Sequence, residues 1–402
     1  YEYLTSLKSW GDNLRSDLYL LVQSRKTIMA DVISREFIQT NFPTLSQMIY
    51  LNNASTGIPP RSCIDAMKQY LEDRINVRHS IEDTEKALEE LLGLLAKLQG
   101  GKKEQYGLSP NTTSGINSFA HSIDYPEMSN IVLCDLEFPA NYVPWQNVSR
   151  LYGPELRVVK SKEGVASLDS FKKHIDENTR VVAVSQVQFS SGYRVDLGGL
   201  ADAVHNVGGY LVADVIQAIG WAETDLEKEN VDFAAGHAAK WLLGPIGTGY
   251  VYVSKELIDK LTPRFLGWWG VSKMEDFSYF EREPLPSARM FEIGSPALIG
   301  YVGMIESLKT VMEVPAMSRE QAAMENADYF RKRLSEEGLS YYDFGTKHNS
   351  PIVSCAPEDA EELNKKIAKE KIYCSVRDDR LRVSPHFYNT KQEIDKLVDR
   401  LR

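Results

Sequence analysis

The sequence is poor in cysteine and histidine and has no long apolar run. Each shortage excludes a class of protein. Four cysteines and seven histidines are spread over 402 residues without the spacing of a metal site. So few cysteines exclude a disulfide scaffold and fit a reducing, intracellular setting. No stretch of 18 or more apolar residues exists, so no membrane-spanning helix is predicted. We therefore expect a cytoplasmic protein without a metal centre and without a membrane partner.

Positive charge is also scarce. Lysine and arginine together number 46, against 56 aspartates and glutamates, which gives a net charge of −10. This balance argues against a nucleic-acid partner bound through a basic face. The contents of hydrophobic residues (43%) and charged residues (25%) are ordinary for globular proteins, which excludes disorder as a global description. The length fits two to three domains, or one large domain with a smaller companion.

The residue pattern divides the chain into three parts. Residues 1–48 read as a helical arm, in which apolar residues recur at helical spacing from Leu4 to Val22. In residues 49–285, short β-rich runs alternate with amphipathic stretches, which indicates a parallel sheet covered by helices on both faces. Ligands of such sheets bind at the carboxyl ends of the strands. Residues 286–402 combine a long helical region, Ala297 to Glu337, with short strand candidates, and predict a smaller α+β domain.

An acidic side chain, Asp214, is predicted at the end of a buried strand, with Gln217 three residues later. A carboxylate in this position is costly unless a positive group meets it. Taken alone, the segment is more typical of a structural aspartate, either a helix cap or a salt-bridged side chain, than of a ligand-binding one.

Lys240 lies in an apolar, glycine-rich stretch, directly before Trp241, Leu242 and Leu243. Enclosure by these side chains would lower the pKa of its amine by desolvation, which suits a Schiff-base lysine. The alternative is a lysine whose amine reaches solvent beside a glycine turn.

Small polar residues open a predicted helix between Ser109 and Ser118. Free N–H groups and the helix dipole make such an end an anion site, although an ordinary capped helix has the same pattern. Together the three segments supply what pyridoxal 5′-phosphate (PLP) requires. The helix end takes the phosphate, Asp214 keeps the pyridine nitrogen protonated, and Lys240 forms the Schiff base.

Several segments occur in an order that resembles a known family. They are Tyr50–Gly57 (YLNNASTG), Asn111–Asn117 (NTTSGIN), Glu137–Trp145 (EFPANYVPW), Gly236–Tyr250 (GHAAKWLLGPIGTGY), Arg289–Pro296 (RMFEIGSP) and Arg382–Asn389 (RVSPHFYN). The sequence resembles the class V aminotransferase family of fold-type I PLP-dependent enzymes, which includes cysteine desulfurases, kynureninase-like enzymes and isopenicillin N epimerase-like proteins. The resemblance implies an α/β fold. It consists of a large domain with a mostly parallel seven-stranded sheet between helices, a smaller α+β domain, and assembly as a homodimer.

The resemblance also implies roles for individual residues. Lys240 becomes the catalytic Schiff-base lysine and Asp214 the partner of the pyridine nitrogen. Arg382 becomes the bidentate partner of the substrate carboxylate. The other implied residues are Thr113, Ser114 and His237 at the phosphate, Phe138 stacked on the ring, Gln217 at the ring oxygen, Ser295 at a phosphate across the dimer interface, and Asn53 and Ala54 on the substrate side. Gln188, at a predicted strand end, is a further candidate for the ring oxygen.

Two positions depart from the family pattern. Ala239 stands directly before the lysine, where many relatives have histidine. Desulfurases need a mobile nucleophilic cysteine on a loop before the C-terminal arginine motif. Here the connection from Ile372 to Arg382 is short, and its only cysteine, Cys374, falls within a predicted strand. A packed cysteine lacks the exposed, electropositive setting of a reactive one, which disfavours persulfide transfer.

The sequence therefore predicts a PLP-dependent enzyme acting on an amino acid, with Lys240 removing the α-proton. We expect an aminotransferase. An isopenicillin N epimerase-like epimerase and a cysteine desulfurase or β-lyase that cleaves a C–S bond are the alternatives. A PLP-binding protein without turnover is disfavoured, because Lys240, Asp214 and Arg382 are all present. The substrate side chain is not specified.

Overall fold

The computed structural model describes residues 33–278 and 280–401. The predicted helical pattern from Leu4 to Val22 lies outside these residues. The described part of the predicted arm has a short helix, Arg35–Asn41, and a 3-10 turn, Pro43–Gln47. Within the described ranges, no helix is both long enough and apolar enough to cross a membrane.

The strands of the described part of the chain form one large sheet, one small sheet and one two-stranded pair. They are β1 (Ile49–Tyr50), β2 (Tyr106–Ser109), β3 (Asn130–Cys134), β4 (Glu155–Val159), β5 (Thr179–Ser185), β6 (Tyr210–Asp214), β7 (Phe233–His237), β8 (Gly249–Val253), β9 (Ser340–Tyr341), β10 (Val353–Ala356), β11 (Ile372–Tyr373), β12 (Ser375–Arg377) and β13 (Arg380–Val383).

The large sheet has seven strands in the order β2-β8-β7-β6-β5-β3-β4. The neighbours from β7 to β4 run parallel, whereas β8 is antiparallel to both β7 and β2. The predicted mostly parallel, seven-stranded sheet is therefore confirmed.

The described helices follow the predicted alternation with strands. They are α1 (Arg35–Asn41), α2 (Arg61–Ile75), α3 (Ile81–Gln99), α4 (Thr112–Ala120), α5 (Val143–Tyr152), α6 (Leu168–Lys172), α7 (Leu197–His205), α8 (Lys255–Ile258), α9 (Leu298–Glu313), α10 (Ala316–Glu336), α11 (Gly345–His348), α12 (Ala360–Lys369) and α13 (Lys391–Val398).

Both faces of the large sheet are buried, which is why its strands read as continuous apolar runs. In β5, Val182 and Val184 pack in one core with α3, α7 and α9. Val181 and Ala183 point the other way, into a second core with α4 and α5. The period-two alternation of side chains thus supplies both layers from the same strand.

The small sheet has the order β12-β13-β10-β9 and is antiparallel. One of its faces carries Leu381 and Val383, which pack with apolar residues of α10, α12 and α13. The same core includes Leu51, because β1 pairs in parallel with β11. The segment just after the predicted arm is therefore built into the C-terminal domain.

The predicted boundary between the two domains lies between residues 285 and 286. In the structure, the chain passes from the core of the large domain to that of the small domain later than this. The predicted helical region from Ala297 to Glu337 is two helices, α9 and α10, because Pro315 cannot continue the first one. Met304 and Leu308 of α9 are buried in the large-domain core, whereas Phe330 and Leu334 of α10 belong to the small-domain core. The large domain therefore extends through α9.

Candidate active site

The carboxyl ends of the neighbouring parallel strands β3, β5, β6 and β7 lie at one edge of the large sheet. Strand β6 ends at Asp214, and Lys240 follows three residues after the end of β7. Phe138 follows β3. The Nζ atom of Lys240 lies 5.5 Å from the centre of the Phe138 ring, so the amine and the predicted stacking ring border the same space. The fold thus brings together residues about 100 positions apart at the edge where ligands of such sheets bind.

Asp214 is 1% exposed, and its Oδ1 accepts a hydrogen bond of 2.9 Å from the N–H of Ile216. No ion pair to this carboxylate is found among the described residues, although the charge of Lys240 acts on it. Burial raises the pKa of the carboxyl group, because a dry site disfavours the charged form. A buried carboxylate that lacks a bonded cation suits a ligand that brings a protonated nitrogen.

Lys240 has no hydrogen-bond partner for Nζ in the described part of the chain. Burial lowers the pKa of its amine, and the positive charges of Arg382 and Arg377 lower it further, against the opposing effect of Asp214. A lysine with a lowered pKa is more often a free amine, the form that can attack a carbonyl or take a proton.

Two other segments hold the backbone around Lys240. The N–H of Gly57 donates to the carbonyl of Ala239 over 2.8 Å, and a Cβ at position 57 would lie 2.0 Å from the carbonyl oxygen of Lys240. Only glycine permits this approach. On the other side, the buried His386 accepts the N–H of Phe387 at Nδ1, so its Nε2–H donates to the carbonyl of Trp241 over 3.0 Å.

Two glutamines stand where ring-oxygen contacts are predicted. The Oε1 of Gln217 accepts the indole N–H of Trp241 over 2.8 Å, and its Nε2 donates to the carbonyl of Ala54 over 3.0 Å, which leaves one amide N–H. Gln188 donates to Glu137, and its buried Oε1 has no partner among the residues that the structure describes. Each glutamine thus keeps one polar group for a ligand, although which of them contacts a ring oxygen stays a prediction.

The predicted phosphate end lies at the start of α4. The side chain of Asn111 caps this helix by accepting the N–H of Ser114 over 2.9 Å, so the N–H groups of Thr112 and Thr113 are not used by the cap. Ser114 and Ser295 line one cavity of about 340 Å³. The roles of Thr113 and Ser114 at a phosphate, and of Ser295 in a neighbouring subunit, stay predictions.

His237 anchors the loop that carries Lys240. Its Nε2 accepts the N–H of Gly247 over 3.0 Å, which requires a ring without a proton on that nitrogen. Burial lowers the pKa of the imidazole to about 4, and the charge of Lys240 acts in the same direction. The ring is therefore neutral at pH 7, and its predicted contact with a phosphate would use Nδ1.

Arg382 faces this edge from the small sheet and is 1% exposed. Nη1 donates to the carbonyl of Phe189 over 2.7 Å, Nη2 to Ser55 Oγ over 2.6 Å, and Nε to Ser375 Oγ over 3.1 Å. These bonds use three of the five N–H donors of a guanidinium, and none goes to a carboxylate. Burial and the charge of Arg377 lower its pKa to about 9. Such a buried cation suits an anionic group of a ligand.

Asn53 and Ala54 are connected to the small domain. The amide of Asn53 accepts from the hydroxyl of Tyr388 and donates to the carbonyl of Ser384, and the N–H of Ala54 donates to Ser384 Oγ. Substrate contacts of both residues stay predictions. The next residue, Ser55, bonds Arg382 directly, and the sequence reasoning missed it although it lies in the same motif.

The family is decided by comparison with known proteins. The model of the family described as aminotransferase class V matches residues 49–397, most of the chain. The chain belongs to the class V aminotransferase family. The predicted cofactor, PLP, is confirmed with it.

Individual relatives of this class V enzyme are named for different activities. The uncharacterized aminotransferase YcbU of Bacillus subtilis is 28% identical, over 90% of this chain and 95% of its own. The cysteine desulfurase of Haloferax volcanii is 26% identical, over 88% of both chains. Among solved structures, a mutant of C-DES with glycine covalently linked to the PLP cofactor has a TM-score of 0.83 at 20% identity, over 90% of this chain and 98% of that chain. A further similar structure is the complex between the cystine C–S lyase C-DES and its reaction product cysteine persulfide.

The site of this class V enzyme fits PLP by the chemistry of its groups. Asp214 suits a protonated pyridine nitrogen, Lys240 the cofactor aldehyde, Phe138 a ring face, and the start of α4 a phosphate. When bound, PLP acts as an electron sink for a carbanion at the substrate Cα. The prediction of a class V PLP enzyme is confirmed, whereas its aminotransferase branch stays a prediction.

The C-terminal hairpin of this class V enzyme is tight. Asp378 and Asp379, both at positive φ (51° and 57°), join β12 directly to β13. Cys374, just before β12, is 7% exposed, and burial raises the pKa of its thiol well above the ordinary value. The other three cysteines, Cys63, Cys134 and Cys355, are also buried. The short connection predicted from the sequence is thus present, and it has no loop on which a cysteine could reach Lys240.

Proposed function

We propose that this class V enzyme is a PLP-dependent C–S lyase. It removes the α-proton of a sulfur-containing L-amino acid and expels the sulfur at Cβ directly into solution. One observation carries the proposal. The site combines a group for proton transfer with a receptor for a carboxylate, and all four cysteines of the chain are buried.

The residues of the chain divide the reaction between them. Arg382 offers two N–H donors to the α-carboxylate. This contact holds the Cα–H bond toward Lys240, whose Nζ takes the proton. The Asp214 carboxylate keeps the ring nitrogen protonated. The positive charge of that nitrogen stabilises the negative charge that develops.

Elimination follows when the Cβ–S bond breaks and sulfur leaves with the bonding electrons. A thiolate is a stable leaving group and takes a proton from solvent, so no second acid is required. With cysteine the balanced result is pyruvate, ammonia and hydrogen sulfide, after addition of one water.

The names of the relatives support C–S cleavage. A cysteine desulfurase and a cystine C–S lyase are among the similar proteins. A desulfurase that passes sulfur to its own cysteine fits this chain poorly, because Cys374 is packed in the core of the small domain. A lyase needs no such cysteine.

Epimerisation is disfavoured, because it needs a proton donor on the second face of Cα. The imidazole closest to Lys240 in sequence, His237, is neutral and bonded to Gly247, and position 239 is alanine. Transamination is the second candidate. It needs only Lys240 to move the proton, and it is favoured by the relative named as an aminotransferase.

The test is a product analysis of the PLP-loaded protein. L-cysteine and L-cystine are supplied separately, and pyruvate, ammonia, alanine and released sulfur are measured together. The same protein is then given L-alanine or L-glutamate with a series of keto acids, and new amino acids are measured.

Equal amounts of pyruvate and released sulfur, abolished in Lys240→Ala and retained in Lys255→Ala, are the expected result. Lys255 is an exposed lysine at the start of α8 and serves as the control. Alanine as the organic product would instead identify a desulfurase. Amino transfer to a keto acid without sulfur release would identify an aminotransferase, and either result would refute the lyase.

A further inference from the structure

One face of the small sheet carries three arginines. In the register of β12 and β13, Arg377 lies opposite Arg380, and Ser375 lies opposite Arg382. Residues that lie directly opposite one another project from the same side of a sheet. Arg377, Arg380 and Arg382 therefore share a face. The opposite face is the apolar one that packs on α10, α12 and α13.

None of these three arginines forms an ion pair with a carboxylate of residues 33–278 or 280–401. Arg380 is nevertheless fixed. It donates to the Oγ and the carbonyl of Ser354, and its guanidinium lies 4.0 Å from the centre of the Tyr342 ring. Within the described ranges, Arg377 has a single hydrogen bond, from Nη1 to the carbonyl of Val376 over 2.6 Å. It is the arginine of this face with the most unused donors.

The tight turn fixes the position of the Arg377 backbone in the hairpin. It is diagonal to Arg382 across the hairpin, which places their Cα atoms roughly 7–8 Å apart. The acidic residues of the turn, Asp378 and Asp379, make no ion pair with Arg377 in the described part of the chain. Its charge instead acts on the active site, since it lowers the pKa values of both Arg382 and Lys240.

We propose that Arg377 is a second anion-binding residue of the active site, and that the substrate is an α-amino acid with a further acidic group on its side chain. Arg382 holds the α-carboxylate, and the four N–H donors that Arg377 leaves unused bind the distal acid. This substrate class rests on the proposed function in taking Arg382 as the α-carboxylate receptor.

A binding measurement tests the second site without turnover. Succinate and glutarate are titrated into the PLP-loaded protein by calorimetry, each beside its monoamide, which keeps the shape and loses one charge. The wild type should bind each diacid about tenfold more tightly than its monoamide, the value of one charge-assisted hydrogen bond. Arg377→Gln should bind both alike, and Arg377→Lys should keep part of the preference.

A matched pair of substrates extends the test to catalysis. S-carboxymethyl-L-cysteine carries a distal carboxylate, and S-carbamoylmethyl-L-cysteine carries an amide of the same shape. Pyruvate formation should show a KM about tenfold lower for the acid, and Arg377→Gln should abolish this difference with little change in kcat. Arg400→Gln removes a positive charge that is paired with Glu370 on α12's C-cap, and it should leave the preference intact.

Equal affinity of the wild type for diacid and monoamide would overturn the proposal, as would a preference that survives in Arg377→Gln. The two proposals fail separately. If no sulfur is released but diacid binding depends on Arg377, the lyase is wrong and the second anion site stands. If cysteine is cleaved but diacids have no advantage, the reverse holds.

Discussion

The two sides of the active site differ in how well their charges are compensated. On the large-sheet side, Asp214 and Lys240 each moderate the burial cost of the other, although no hydrogen bond joins them. On the small-sheet side, Arg382 and Arg377 only repel one another, and no carboxylate of the described residues compensates them. The cofactor side is therefore nearly balanced before a ligand arrives, whereas the substrate side is not.

This difference indicates what each side binds. A balanced pair suits a resident group such as PLP, which brings both a ring nitrogen and a carbonyl carbon. An unbalanced pair of cations suits an anion that binds and dissociates during turnover. Binding restores charge neutrality, and dissociation returns the site to its original charge. The first two predictions below each change one side of the site.

The largest effect is expected from removing the amine on the cofactor side. Lys240→Ala should reduce turnover at least ~10³-fold, because the base that takes the α-proton is lost. The measurement is pyruvate or keto-acid formation by the PLP-loaded variant. Lys255→Ala, which removes an exposed lysine, should match the wild type, and full activity of the Lys240 variant would refute the mechanism.

A smaller effect is expected from changing the geometry on the substrate side. Arg382→Lys keeps the charge but loses the planar fork that grips a carboxylate. We expect KM to rise by roughly 10–100-fold with a smaller change in kcat, and steady-state kinetics measure both. An unchanged KM would mean that the α-carboxylate binds elsewhere.

The protonation state of His237 provides a test through stability. Its pKa is about 4 in the folded chain, against an ordinary value near 6.5, so folding favours the neutral ring. The stability that this shift contributes is complete above about pH 6.5 and is lost as the pH falls from there through about 4. Between pH 7.5 and 4.5 the thermal midpoint of the wild type should fall about 2 °C or more further than that of His237→Gln. Parallel curves for the two proteins would show that His237 does not titrate in this way.

The smallest effect on activity is expected at the cysteines. Cys374→Ala should change the rate of sulfur release less than about twofold, because the lyase reaction uses no thiol of the chain. Its cost should appear in stability, at about 1 kcal/mol for a small buried side chain. Thermal unfolding and product assays separate the two effects. A large loss of sulfur release with normal folding would identify Cys374 as a sulfur carrier and restore the desulfurase alternative.

Local patterns in the sequence were enough to predict the parallel sheet of the fold and the central residues of the site. Apolar runs separated by amphipathic stretches predict a buried parallel sheet, since each run must fill both cores. Asp214 and Lys240 could be found because each lies beside an apolar strand. A charged group is costly to bury there unless it has a partner or a function. The short connection before Arg382 also follows from the sequence, because few residues separate the strand candidate at Ile372 from Arg382.

Only the tertiary structure decided how the two sides of the site meet. Ser55 bonds Arg382 across 327 positions of the sequence, and Phe189 bonds it across 193, so no local pattern could reveal either contact. The sequence pattern assigned α9 to the C-terminal domain, whereas its buried residues pack in the core of the large domain. Sequence periodicity reports whether a residue is buried, whereas the partner in the buried position is set by non-local packing. The contacts of Ser55 and Phe189 with Arg382 on the substrate side are set by such non-local packing.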